Sequence, residues 1–315
     1  MPNSVHLTLL RRVWVLLFLV GAVVFMVSFR QPLRGAVPSL DQISVGAFLV
    51  LLGSQIVLWI SQAFAWRKTL ELLAQHRLRW REAFVHLAML MAGKYLPGKV
   101  WGVVARGGKL YEIGLGGRIV IELSVYEQMF LLIGGGVVVS VAGVLVFDSE
   151  YRLIFAIAMV VITVFIRPCI RLGGTLIGLV RGLDRGKQDL NSTGVSSLGL
   201  WRLYTLVGIQ ALAWILQGVV IFLLLMIIAP TVGWEFDVLL SVIAAFTAAT
   251  IIGFLAIFAP AGIGVREGVF AFLLAPLMPI EVIGILVVVS RAWMTVADIV
   301  LGAMCALFSL SKKGA

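Results

Sequence analysis

Acidic charge is the scarcest commodity in this chain: 15 Asp and Glu stand against 25 Lys and Arg in 315 residues, and only 13% of the sequence is charged at all. Soluble domains carry about 25% charged residues, so an ordinary soluble domain is excluded. Histidine is almost missing, with His6, His76 and His86 scattered along the chain. Cys169 and Cys305, the two cysteines, lie in or beside apolar runs, so neither a disulfide framework nor a metal site is expected. There is no H-E-x-x-H, no G-x-S-x-G and no Walker A lysine, which removes the chemistry of a zinc peptidase, a serine hydrolase and an ATP-driven pump. Gly262-Ile263-Gly264 is no dinucleotide fingerprint, since no strand precedes it and the third glycine is displaced. No stretch between apolar runs is long enough for a soluble catalytic domain, so neither enzyme activity nor a cofactor is expected.

What the chain does have is apolar length: 61% hydrophobic residues and a mean hydropathy of +1.10 describe an all-α polytopic membrane protein. A helix needs roughly 20 apolar residues to cross the hydrocarbon. That rule gives six spans: Val13 to Ser28, Val45 to Trp66, Ile119 to Phe147, Leu153 to Val180, Leu203 to Ala229 and Val282 to Leu310. Arg11 and Arg12 precede the first, but no small-residue cleavage pattern follows, so it reads as a retained span and not a signal peptide. The net charge of +10 is dispersed in short segments between these runs, as in loops facing cytoplasm and anionic headgroups, and does not form a nucleic-acid surface.

Two regions fit no simple span. Ala83 to Gly117 breaks at Pro97 and Gly98 and then carries Lys99, Arg106 and Lys109, while Val238 to Ala275 breaks between Pro260 and Gly264. Both fit re-entrant hairpins, and the second can also be one span plus an interfacial helix or two half-helices. Arg67, Lys68, Arg77, Arg79 and Arg81 mark one loop as cytoplasmic, and Asp148, Glu150, Glu235 and Asp237 mark outer turns. Both termini are then cytoplasmic in a plasma-membrane protein. The order becomes an inverted repeat in one membrane domain, residues 1–147 followed by 153–315, although seven spans with the C-terminus outside is also allowed.

Irregular backbone and charge survive at membrane depth only when buried in protein or lining a wet cavity, so candidate ligand-binding residues cluster at the breaks. At the first these are Lys94, Pro97, Gly98, Lys99, Trp101 and Arg106, whose cations suit a phosphate or phosphodiester. Snorkelling to the headgroups is the plainer alternative. Glu122 and Glu127 follow early in the third span, where a carboxylate facing lipid would cost about 3 kcal/mol, so both should face inward. Arg118 stands one turn before Glu122, whereas Glu127 has no cation at helical spacing and so partners a basic residue of a hairpin or titrates. At the second break the candidates are Pro260, Gly262, Gly264, Arg266 and Glu267, with Arg291 in the last span. Arg291 lies about as far after Pro260 as Glu127 after Pro97, which in a repeat brings these two charges together. Packing of Arg291 and Asp298 on one helix face is the alternative. Gly98 with Gly102 and Gly264 with Gly268 are G-x-x-x-G spacings that would let the return arms approach closely.

Lys94-Tyr95-Leu96-Pro97-Gly98-Lys99-Val100-Trp101 with Arg106, then Glu122 and Glu127, then Pro260-Ala261-Gly262-Ile263-Gly264-Val265-Arg266-Glu267-Gly268, resembles the lysylphosphatidylglycerol synthase transmembrane-region (flippase-like) family over nearly the whole chain. The resemblance implies a membrane domain that moves lipid between leaflets, whether aminoacylated phosphatidylglycerol, a polyprenyl-linked lipid or another phospholipid. The chain departs from the two-domain synthases in ending at Ala315 without the soluble transferase domain, so it is not expected to make lysyl-lipid itself. The partners expected are membrane lipids, anionic ones first, with homo-oligomerisation open. A solute or ion transporter of the same architecture, and a non-transporting lipid-binding scaffold for an envelope-synthesis enzyme, are the competing functions.

Overall fold

The computed structural model describes residues 44–93, 101–115, 117–146, 149–166, 168, 199–256, 262 and 264–310. The expected span Val13 to Ser28 lies outside them, as do Lys94, Pro97, Gly98, Lys99 and Pro260. What is described is all-helical.

Val45–Ala74 (α1) starts on Ser44, whose Oγ accepts from the Ala47 N–H at 3.0 Å, and ends where Gln75 turns left-handed at φ 51° and its N–H returns to the Leu70 carbonyl. Trp80–Gly93 (α2) follows a basic turn that is tied down from within. Arg67 Nε donates to the Leu78 carbonyl at 2.9 Å, and its guanidinium sits 4.2 Å from the Trp80 ring centroid. Trp101–Glu112 (α3) and Gly117–Val146 (α4) come next, then Ser149–Val164 (α5). Leu200–Ile228 (α6) passes through a short 3-10 turn at Pro230–Val232 into Phe236–Leu255 (α7), which is followed by Val265–Leu274 (α8) and Ile280–Leu310 (α9).

Five of these helices contain a stretch long and apolar enough to cross a membrane: Val45–Ala74, Ile119–Val146, Leu200–Ile228, Phe236–Leu255 and Ile280–Cys305. Side chains such as Leu49, Val50, Ile56 and Val57 on α1 and Ile299 on α9 are exposed, a surface suited to lipid and costly in water. The leading arm of the second broken region, α7, sustains 20 helical residues, about 30 Å, which is long enough to cross. The arms of the first broken region, α2 and α3, have 14 and 12 residues and are too short to cross. The helix α5 has 16 residues, and the remainder of the span expected to reach Val180 lies outside the described residues.

The helices fall into two series of the same order, α1–α4 and α6–α9, each long, short or intermediate, short, long. Within them α1 packs on α2 as α6 on α7, α2 on α3 as α7 on α8, α3 on α4 as α8 on α9, and α1 on α4 as α6 on α9. Between them α1 meets α6, and α4 meets α7 as α9 meets α2. Exchanging the series leaves these pairings unchanged, although the broad packing of α4 on α6 has no counterpart of like extent between α9 and α1. Indole donors tie the remaining crossings: Trp214 Nε1–H to the Leu131 carbonyl joins α6 to α4, and Trp293 Nε1–H to Gln55 Oε1 joins α9 to α1, each at 2.9 Å. The core around Phe222, Phe246, Phe270 and Leu286 holds α6–α9 together, and one around Trp66, Leu110, Leu123, Phe130 and Leu206 joins α1, α3 and α4 to α6. A third cluster, including Ala83, Leu87, Ala297 and Leu301, seats α2 on α9.

Candidate functional site

Each break is closed by a pair of glycines nine residues apart. A Cβ on Gly93 would stand 2.0 Å from the backbone nitrogen of Gly102, and one on Gly262 would stand 2.7 Å from the carbonyl oxygen of Gly253. Both clashes are with backbone, which no side-chain rotation relieves, and Gly262 also holds φ 71°. Of the G-x-x-x-G positions, Gly102 in α3 does lie at a close approach, where a Cβ would stand 2.8 Å from the Leu90 carbonyl oxygen, whereas a Cβ at Gly264 or Gly268 meets nothing and Gly98 lies outside the described residues. The close approach also uses Gly93 and Gly253, in the arms that lead into the breaks and unmarked by the earlier spacing.

These glycines begin a longer correspondence, Gly-x8-Gly-x3-Arg-x-Gly, with Gly93, Gly102, Arg106 and Gly108 in one series and Gly253, Gly262, Arg266 and Gly268 in the other, always 160 positions apart. Both arginines stand four residues, about one helical turn, past the second glycine, so the tight crossing fixes where each guanidinium enters the protein.

Arg106 on α3 is 1% exposed. It donates through both terminal nitrogens to the two oxygens of Glu127 on α4, the Nη1 contact being 3.3 Å, and its guanidinium lies 3.6 Å from the Trp66 ring centroid. The opposite edge of Trp66 is used as well: its Nε1–H donates to His86 Nδ1 at 3.1 Å, which leaves the buried imidazole neutral with its proton on Nε2. Glu122 is buried one face away on α4. Arg106 thus has a built-in carboxylate and a built-in aromatic floor.

Arg266 on α8 has the floor without the carboxylate. Its guanidinium lies 4.6 Å from the Phe246 ring centroid, the ring at the position matching His86, and Nη2 touches Met294 Sδ at 3.7 Å. Among the described residues no carboxylate bonds to it. The neighbouring Glu267 is committed elsewhere: Oε2 accepts the Gly264 N–H at 2.7 Å, capping α8, while Oε1 accepts from Arg291, at 2.8 Å from Nε. Arg266 and this pair line a narrow cleft with room for about one water molecule.

The expected meeting of Glu127 with Arg291 does not occur, since Glu127 is held by Arg106 and Arg291 by Glu267. Counting from the prolines set the wrong register; counted from the glycines, Glu127 corresponds to Val287. Of the other candidates, Trp101 is half exposed at the start of α3 and Gly262 is buried in the second turn. Trp66, His86, Phe246 and Phe270 were not singled out as site residues, and only the repeated Gly–Gly–Arg spacing would have led to their neighbourhood. Compared with known protein families and with curated proteins, the chain matches none.

Proposed function

We propose that this protein is a lipid translocase of the plasma membrane, built as an inverted repeat in which the two broken segments face one another and both termini are cytoplasmic. The observation that carries this reading is Arg266: a cation in an apolar helical protein, beside a Pro/Gly break, on an aromatic floor, with no carboxylate of its own among the described residues. In transporters assembled from inverted repeats, substrate sites lie at such interrupted helices. An anionic headgroup enters between the series and its acyl chains stay in lipid. Lys94 and Lys99, which lie outside the described residues, are the sequence's other candidates for the headgroup, and Arg106 with Glu127 fixes the return arm α3. The resemblance to the lysylphosphatidylglycerol synthase transmembrane-region family supports the same reading.

Reconstitution tests it. Purified protein in liposomes with fluorescent phosphatidylglycerol in one leaflet should equilibrate the label, and Arg266→Gln should slow this at least tenfold. Folded protein that exchanges no anionic lipid would move the assignment to a solute transporter or a scaffold.

A further inference from the structure

In the cleft at Arg266, hydrogen-bond donors outnumber acceptors. Arg266 rests Nη2 on Met294 Sδ, and its other guanidinium nitrogens bond to no acceptor among the described residues. Arg291 gives Nε and Nη2 to Glu267, and its Nη1 bonds to no acceptor among those residues. The acceptors are already engaged: both Glu267 oxygens take N–H bonds, and the Ser290 hydroxyl donates to the Val287 carbonyl at 2.9 Å. Two guanidinium charges thus stand against one carboxylate, walled by Phe246, Phe270 and Val287. The first series shows how the chain meets the same need elsewhere. Gly93 and Gly253, Gly102 and Gly262, and Arg106 and Arg266 stand 160 positions apart, and the same offset pairs Glu127 with Val287. Glu127 balances Arg106, whereas Val287 lines the cleft at Arg266 and brings no charge.

We infer that the cleft holds one halide ion, chloride being the abundant one, as counter-ion to Arg266 and Arg291. Size sets the first limit. The space admits about one water-sized occupant, which excludes phosphate, sulfate and organic anions. A halide is little larger than water, and the flexible thioether of Met294 beside Arg266 can yield the difference. Charge sets the second: two arginines and one glutamate leave one positive charge, and a cation in such apolar surroundings is costly unless it is paired. Bonding chemistry sets the third. A halide accepts N–H bonds from every side and donates none, whereas a water would have to place two protons where the carboxylate oxygens are already engaged. The N-terminus of α8 adds nothing, because Glu267 caps it. In the translocase reading this ion is what an arriving headgroup displaces; the ion site itself does not rest on that reading.

The test is the melting temperature of the full-length protein in detergent as sodium chloride replaces sodium gluconate at constant ionic strength. It should climb and level off, by about 3 °C in total. Bromide should act as chloride does, and sulfate should not. Arg266→Gln should remove the dependence. Val287→Glu, which copies the carboxylate of the first series into the second, should remove it as well while melting no lower than wild type does in gluconate. Val287→Gln, of nearly the same volume and without charge, should keep it. A chloride effect that survives Arg266→Gln, or that is lost equally in the two Val287 variants, would overturn the site, as would a wild-type melting temperature indifferent to chloride. Crystals soaked in bromide locate the ion directly: an anomalous peak between Arg266 and Arg291 supports the assignment, and bromide bound only elsewhere refutes it. Neither measurement reads leaflet exchange, so failure here leaves the translocase reading standing, and a protein that binds the ion but exchanges no lipid fails that reading alone.

Discussion

Arg106 and Glu127 clasp each other with both ends of a guanidinium fork, fastening the short helix after the first break to the long helix that follows it. Glu267 and Arg291 fasten the equivalent helices of the second series with the charges exchanged. The same mechanical task is thus met twice from different positions. In the first series the arginine of the repeated Gly–Gly–Arg spacing is consumed by the clasp; in the second, a different residue makes the clasp and that arginine is left facing a cleft.

Removing half of the first clasp should be costly. Glu127→Gln leaves the Arg106 cation buried without its counter-charge, a loss of about 3–5 kcal/mol, read as a large fall in the melting temperature in detergent. Replacing both partners, Arg106→Met with Glu127→Leu, should recover most of the loss. A double variant no more stable than the single one would show that the pair does more than satisfy itself.

The glycine crossings predict opposite results for alanine at neighbouring positions. Gly93→Ala and Gly262→Ala force a Cβ into backbone 2.0 Å and 2.7 Å away and should abolish folded protein, judged by monodisperse elution. Gly268→Ala meets nothing within α8 and gains helix propensity, so stability should be unchanged or rise by up to about 1 kcal/mol.

Trp66→Phe separates the two jobs of the indole. The ring face under Arg106 survives, while the donor to His86 Nδ1 at 3.1 Å is lost, so the expected cost is about 1–3 kcal/mol for an unsatisfied buried acceptor. Trp66→Leu should cost more, since the cation–π contact goes as well. Equal melting temperatures for the two variants would refute the stacking contribution.

Orientation is open to chemical labelling. Arg77→Cys, in the exposed basic turn between α1 and α2, should resist a membrane-impermeant maleimide in intact cells, whereas Glu235→Cys, exposed between α6 and α7, should react. The reverse pattern would invert the proposed topology.

Much of the helical layout was legible in the chain because hydropathy is summed over some twenty residues and tolerates local error. The spans expected at Val45 to Trp66, Ile119 to Phe147, Leu203 to Ala229 and Val282 to Leu310 coincide with α1, α4, α6 and α9 to within several residues. Side-chain partnership was less legible. Prolines are the most visible punctuation, but a proline bends the chain where its turn needs it, and the two breaks place theirs at different points. Glycines at a backbone crossing have no such latitude, since the contact fixes their place to within an ångström.

By itself, then, the sequence determined that the chain is helical and apolar over membrane-spanning lengths, and that it is interrupted twice with charged residues beside each interruption, because each of these follows from transfer energies and backbone sterics acting locally. Only the tertiary structure decided which charge answers which. Arg106 meets Glu127 across 21 positions and Glu267 meets Arg291 across 24, while Arg266 faces a cleft, because ion-pair choice depends on how α3 and α8 settle against α4 and α9. That settling is set by contacts between distant residues, which no local pattern encodes.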